Sequence, residues 1–198
     1  MNSKNSKKIS EAVELLRAGD VLAVATDTVY GLICDPRNQA AVDKIFTLKG
    51  RDFTKPLQVL VADSVQAREL IEIPEHAEEL TREWPGPLTL VAKARVQLAN
   101  RVGKNNTIGV RVPDAPTIVA LLKQFGPLAA TSANPSGQPP ATTAAQVRGY
   151  FDEGFIPLVL GEDAEISVGT ASRVVDVTAY PHVVLRQATK PNAGTTRS

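Results

Sequence analysis

"VGKNNTIGVRVPDAP", residues 102–116, holds one apolar run between two turn-forming flanks. The run TIGVRV, residues 107–112, is rich in β-branched residues and reads as a buried strand. Arg111 stands inside it. A charge in an apolar strand is costly unless something pairs with it. Two readings fit: a fixed ion pair within the fold, or a cation held for an anionic ligand.

Outward from this strand the chain alternates between two periods. Helical spacing appears in SEAVELLRAGD (10–20), QAAVDKIFTLKG (39–50), SVQARELI (64–71), PEHAEELTREW (74–84), APTIVALLKQFG (115–126) and TTAAQVRGYF (142–151). Strand-like runs are VLAVAT (21–26), LQVLVA (57–62), LTLVAKA (88–94), PLAATS (127–132), PLVLG (157–161), SRVVDV (172–177) and HVVLR (182–186). Strands and helices alternate at first, and strands then cluster. The expected fold class is α/β, with a mixed sheet and helices packed on it. No interdomain linker is evident. One domain over 9–187 is expected, with flexible ends at 1–8 and 188–198.

The totals narrow the function. The chain has 198 residues, 43% hydrophobic and 22% charged, enough for a real core. Its formal net charge is +1, so global charge gives no argument for non-specific nucleic-acid binding. One cysteine, Cys34, excludes an internal disulfide and a cysteine-rich zinc site. His76 and His182 are too few for a metal cluster. There is no signal-like start and no apolar run of membrane-spanning length. A cytoplasmic protein with no membrane partner is expected.

Polar residues gather where strands end. Thr26, Asp27, Thr28 and Tyr30 follow VLAVA, where an Asx turn centred on Asp27 would explain them locally. Lys49, Arg51 and Lys55 lie around a helix end. A helix dipole accounts for Lys49, but Arg51 and Lys55 lie beyond the Gly50 stop. Thr131, Ser132, Asn134 and Ser136 follow PLAA, beside Gly137, a pattern that suits either a polar turn or an anion loop. Neither a GxGxxG fingerprint nor a Gly-Lys-Ser/Thr phosphate loop occurs. Ser172 and Arg186 add two more strand ends. Five such segments point to one shared cleft.

ATDTVYGL, KIFTLKGRDFTKPL, WPGPLTLV, GVRVPDAP and TSANPSG occur here in the order found in the YrdC/TsaC family, and the resemblance runs from about Ala12 to Arg186. It implies a twisted, open mixed sheet with flanking helices and a positively charged concave cleft, in the short single-domain form. The family's Lys-x-Arg and Ser-x-Asn signature falls on Lys49, Arg51, Ser132 and Asn134, implied as catalytic. Arg51, Lys55, Thr107, Ser132, Asn134 and Arg186 resemble ATP contacts. Thr28, Arg111 and Ser172 resemble threonine contacts, with Arg111 on the carboxylate. Asp27 stands where Glu is common, Lys55 where many members have Asn, and Leu60 where longer members have His. Ala188 replaces a usual Gly, and Arg173 a usual Thr.

The resemblance implies synthesis of threonylcarbamoyl-AMP from L-threonine, bicarbonate or CO2, and ATP, with pyrophosphate released. This activated intermediate serves threonylcarbamoyladenosine formation in tRNA. Mg²⁺ is expected on the ATP phosphates, with no protein carboxylate cage. tRNA and the threonylcarbamoyl-transferase machinery are expected partners. Lys49 and Arg51 are expected to be solvent-facing loop cations. The rival from another class is a double-stranded RNA or tRNA-binding module without ATP turnover. A hydrolase of carbamoyl or nucleotide phosphates is a third.

Overall fold

The computed structural model describes residues 3–162 and 171–188. Helix α1 (Ser3–Arg17) comes first, so residues 3–8, expected as part of a flexible start, are helical. All but the first residue of the expected tail 188–198, and residues 1 and 2, lie outside the described residues. Strands β1 (Leu22–Ala25) and β2 (Tyr30–Cys34) follow, then α2 (Gln39–Lys49), β3 (Gln58–Leu60), α3 (Ser64–Leu70) and β4 (Ile71–Glu72). A 3-10 helix over Glu75–Glu83 leads to β5 (Leu88–Ala94) and β6 (Thr107–Arg111). The chain continues through α4 (Pro116–Phe125), β7 (Leu128–Ser132), α5 (Ala144–Tyr150), β8 (Val159–Leu160), β9 (Arg173–Asp176) and β10 (Val183–Arg186).

Local chemistry explains most boundaries. Asn38 caps α2 by accepting from the Ala41 amide, and Gly50 ends it in the left-handed conformation at φ 56°. Asp63 caps α3, and Thr143 with Gln146 forms a capping box on α5. Asn105 and Asn106 both take positive φ, 52° and 59°, in the tight turn before β6. That is the conformation asparagine tolerates best among residues with a side chain.

The sheet runs β10-β9-β5-β6-β3-β7-β2-β1-β8, with β4 pairing β5 off this path. Pairs β1–β8, β3–β6 and β5–β9 are parallel and the rest antiparallel, so the sheet is mixed and open. β2 is not foreseen from the sequence: YGLIC follows the polar run Thr26, Asp27 and Thr28 and contains Gly31, so it reads as loop. It forms an antiparallel hairpin with β1, Leu22 opposite Ile33 and Ala25 opposite Tyr30.

Strand alternation divides the core in two. Ala23, Leu32, Val59, Val110 and Ala129 face α2, α3 and α5. Leu22, Val24, Ile33, Leu60, Leu128 and Ala130 face the other way, where Ile9, Ala12 and Leu16 of α1 and Ile118, Leu121 and Leu122 of α4 cover them. Among the described residues the second face is covered only over that half. Farther along it, Gln58, Val91, Thr107, Gly109 and Val174 are half-exposed and Lys93 exposed. These residues lie on the same face because Gln58 is two positions from Leu60, and Gly109 two from Arg111, Leu60's partner in register. Among the described residues, no helix is long and apolar enough to cross a membrane.

Leu121 is fully buried between α4 and the strands. Leu121→Ala should lower unfolding free energy by about 2–5 kcal/mol, read from urea denaturation, because the packed face cannot fully collapse around the gap.

Candidate active site

Arg111 ends β6 on this face and is 2% exposed. Its Nη2 donates to both carboxylate oxygens of Asp27, 2.6 Å each. Its Nη1 donates to Thr28 Oγ1 at 2.7 Å, and its Nε to the Gly86 carbonyl at 3.0 Å. The fixed ion pair, one of the two readings of this strand, is therefore present. Nε and one N–H of each Nη are engaged, and among the described residues the second Nη1 N–H has no partner. Burial lowers the Arg111 pKa, Asp27 works against that, and Arg186 adds to it. Asp27 also accepts from the Asp114 amide at 3.2 Å. The local turn belongs to Thr26 instead: its Oγ1 accepts from the Thr28 and Val29 amides and donates to the Val29 carbonyl.

Ser172 is buried at the opening of β9, and the Arg186 guanidinium is anchored on it. Nε donates to the Ser172 carbonyl at 2.9 Å and Nη2 to its Oγ at 3.1 Å. All four residues of β10 are exposed, Arg186 included, but its guanidinium packs on Ser172, and the partial burial there lowers its pKa. Ser172 Oγ lies 2.9 Å from Thr89 Oγ1, which donates to Gln58 Oε1 at 2.9 Å.

Lys49 is the last residue of α2 and only 4% exposed, so the expectation of a solvent-facing loop cation is corrected. The helix end directs its Nζ to the Ser132 and Asn134 carbonyls, 2.5 Å each, and to Asn134 Oδ1 at 3.3 Å. Burial, helped by Arg51, pushes this ammonium down to about 7. Asn134 is buried too, its Nδ2 donating to the Pro135 and Gln138 carbonyls. This lysine and asparagine hold the turn that follows β7 in shape, with Ser132 half-buried at its start. Arg51 is half-buried and donates to the Lys55 and Pro56 carbonyls. Burial and Arg186 lower its pKa, which places the two guanidiniums within electrostatic reach. Lys55 is exposed, and among the described residues its ammonium has no hydrogen bond or ion pair. Thr107 lies on the open face, its hydroxyl donating to the Lys104 carbonyl at 2.6 Å.

The structure thus joins the ten sequence candidates in local sets: Thr28 with Arg111, Ser172 with Arg186, Lys49 with Ser132 and Asn134, and Arg51 beside Lys55. Thr107 shares its strand and face with Arg111. Thr107, Arg111, Ser132, Ser172 and Arg186 lie on one sheet face, and Lys49 reaches the turn after β7 from α2, which packs on the other. Sequence reasoning missed Gln58 and Thr89, polar residues in otherwise apolar strands. It also missed Asp27 as the partner of Arg111, because that contact joins positions 84 apart. Among the described residues no three of His, Cys, Asp and Glu come together as a metal site. What remains is a floor of hydroxyl, amide and guanidinium groups, suited to polar anions.

The family model Sua5_yciO_yrdC, described as telomere recombination, matches residues 14–188, and the chain belongs to this family. A threonylcarbamoyl-AMP synthase of Halorhodospira halophila (strain DSM 244 / SL1) is 42% identical over 158 residues, covering 78% of this chain and 83% of that protein. One of Pseudomonas fluorescens (strain Pf0-1) is 38% identical over 161 residues, 79% of this chain and 86% of that one. The crystal structure of P. abyssi Sua5 complexed with L-threonine superposes with a TM-score of 0.85 at 38% identity. It covers 91% of this chain, which spans only 54% of that longer one.

Two measurements check this geometry. Asp27→Ala strands the buried guanidinium and should cost about 3–5 kcal/mol in urea denaturation. Lys49 titrates near 7 when folded, against an ordinary value of 10.5. Between those values the unfolded chain binds more protons, so this group makes stability rise with pH. Below about 7 both states are protonated and its contribution is flat. Lys49→Met should therefore flatten the rise between about pH 7 and 8.5, which can reach about 1.4 kcal/mol per pH unit in the wild type.

Proposed function

We propose that this chain is a threonylcarbamoyl-AMP synthase, joining L-threonine, bicarbonate or CO2, and ATP with release of pyrophosphate. The observation that carries this reading is the single open sheet face. A buried Arg111–Thr28 pair lies on it, and Ser172 holds the Arg186 guanidinium. The similarity to synthases over about four fifths of the chain supports it.

The threonine amine attacks CO2, forming a C–N bond and losing a proton to give a carbamate. A carbamate oxygen then attacks the α-phosphorus, and the bond from that phosphorus to the pyrophosphate oxygen breaks. Both partners are anions, so fixed cations lower the barrier by offsetting their repulsion and the charge that moves to the leaving group. We assign the remaining Arg111 N–H and Thr28 to the amino-acid end, with Ser172 beside them. We assign Arg51, Lys55, Arg186, Thr107 and Ser132 to the nucleotide. Lys49 and Asn134 act through the turn they hold, since their polar atoms already have partners. Mg²⁺ is taken to arrive on the ATP phosphates; the positively charged cleft would complement what that ion leaves uncompensated. The product is an activated acyl donor for tRNA and the threonylcarbamoyl-transferase machinery, and the cytoplasm is the compartment proposed.

The test is incubation with ATP, Mg²⁺, bicarbonate and L-threonine, followed by mass detection of pyrophosphate and threonylcarbamoyl-AMP. Both products should form, and threonine amide should not replace threonine. AMP without the mixed anhydride would mean a hydrolase. Steeply salt-dependent RNA binding without pyrophosphate release would mean an RNA-binding module.

A further inference from the structure

Gln58 opens β3 on the uncovered face, in register with Gly109 of β6, whose register partner on the next strand, β5, is Val91. Its side chain crosses β6 to reach Thr89 on β5. Gly109 permits the crossing: a Cβ there would stand 3.3 Å from Thr89 Cγ2 and 3.7 Å from Gln58 Cβ, in the path of the bridge. A glycine inside a strand often marks such a close approach.

The bonds along this bridge run in one direction. Gln58 Oε1 can only accept, so the Thr89 hydroxyl hydrogen belongs to it. Thr89 must then accept from Ser172, whose own hydrogen is thereby committed. Ser172 in turn accepts from Arg186 Nη2. The chain starts at a cation, passes two hydroxyls and ends on an amide oxygen, crossing the strands from β10 to β3. With the amide oxygen on Thr89, Nε2 is turned away from it. That nitrogen has no hydrogen-bond partner among the described residues. No buried side-chain N or O there lacks a partner, so Nε2 is open to the face.

We propose that Gln58 is a further substrate-contacting residue: its amide N–H₂, oriented by Thr89 and Ser172, donates to an oxyanion lying over Gly109. The inference rests on the synthase reading and deepens it. Arg111 stands two residues along β6 on one side of Gly109 and Thr107 two on the other, so this donor meets the middle of the bound reactants. The carbamate oxygen and the α-phosphate come together there. Thr89 is a positioning residue, since it acts through Gln58.

Steady-state pyrophosphate release and thermal unfolding of the whole chain decide this. Gln58→Met keeps the length and removes the donor. It should lower kcat about 10- to 100-fold, the loss expected for one hydrogen bond to a charged group. Its melting temperature and the calorimetric affinities for ATP and threonine should stay close to wild type. Gln58→Glu still accepts from Thr89 but turns a negative charge on the reactants, and should be slower still. Thr89→Val should lower kcat about 10-fold, and Thr89→Ser should restore it to within about 2-fold, because the hydroxyl alone matters. Wild-type kcat in Gln58→Met overturns the proposal. So does a loss in kcat matched by equal losses in melting temperature and both affinities, which would make Gln58 a structural bridge. A wild-type chain that makes no product overturns the synthase reading itself, a result separable from either of these.

Discussion

A charged pair shut away from water constrains everything around it. Arg111 and Asp27 are both nearly inaccessible, and removing two ions from solvent is tolerable only when their remaining hydrogen-bonding groups are satisfied. The protein meets that demand with four separate segments. The turn after β1 supplies Asp27 and Thr28, β6 supplies the guanidinium, the turn after Trp84 supplies the Gly86 carbonyl, and the loop before α4 supplies the Asp114 amide. None can shift without leaving a buried polar group unpaired. The pair is thus a registry device, and it holds the open face in one shape.

The second constraint is coverage. α1 and α4 are long enough to pack one half of a sheet face, and among the described residues no helix covers the other half. The uncovered half is mainly polar, with Gln58, Thr107 and Lys93 beside half-exposed Val91 and Val174, which limits its tendency to aggregate. It carries groups that tolerate water and accept or donate hydrogen bonds. Lys49 supports this arrangement from below, tying the end of α2 to the turn after β7. A helix terminus, a strand terminus and a turn meet on one ammonium.

Fold class was readable because local periods agree with the tertiary arrangement. The helices over 39–49 and 116–125 and the strands over 88–94 and 128–132 have caps, apolar spacing and turn residues that point to the same answer. β2 was missed because Gly31 and the polar run before it look like turn, and only its pairing with β1 and β7 makes it a strand. At the candidate site the ordered motifs and the resemblance they carry single out ten residues but not the state in which the fold holds them. Lys49 looks like a loop cation in sequence because nothing local reveals that Ser132 and Asn134 close over it. Gln58 lies in no quoted motif, and Thr89, inside WPGPLTLV, has no role legible there; they matter through contacts between β3, β5 and the start of β9, which sequence distance hides.

Strand alternation has a consequence for how such a protein can change over generations. Along β3 and β6, neighbouring residues point to opposite sides, so Gln58 faces the floor while Val59 faces the core, and Gly109 faces the floor while Val110 faces the core. A substitution on the floor leaves the packed side untouched. New chemistry can therefore be tried one position in two, on a scaffold whose stability is set by the residues in between. The exception is the guanidinium of Arg111, which belongs to both sides of that division, and is the position least open to experiment by drift.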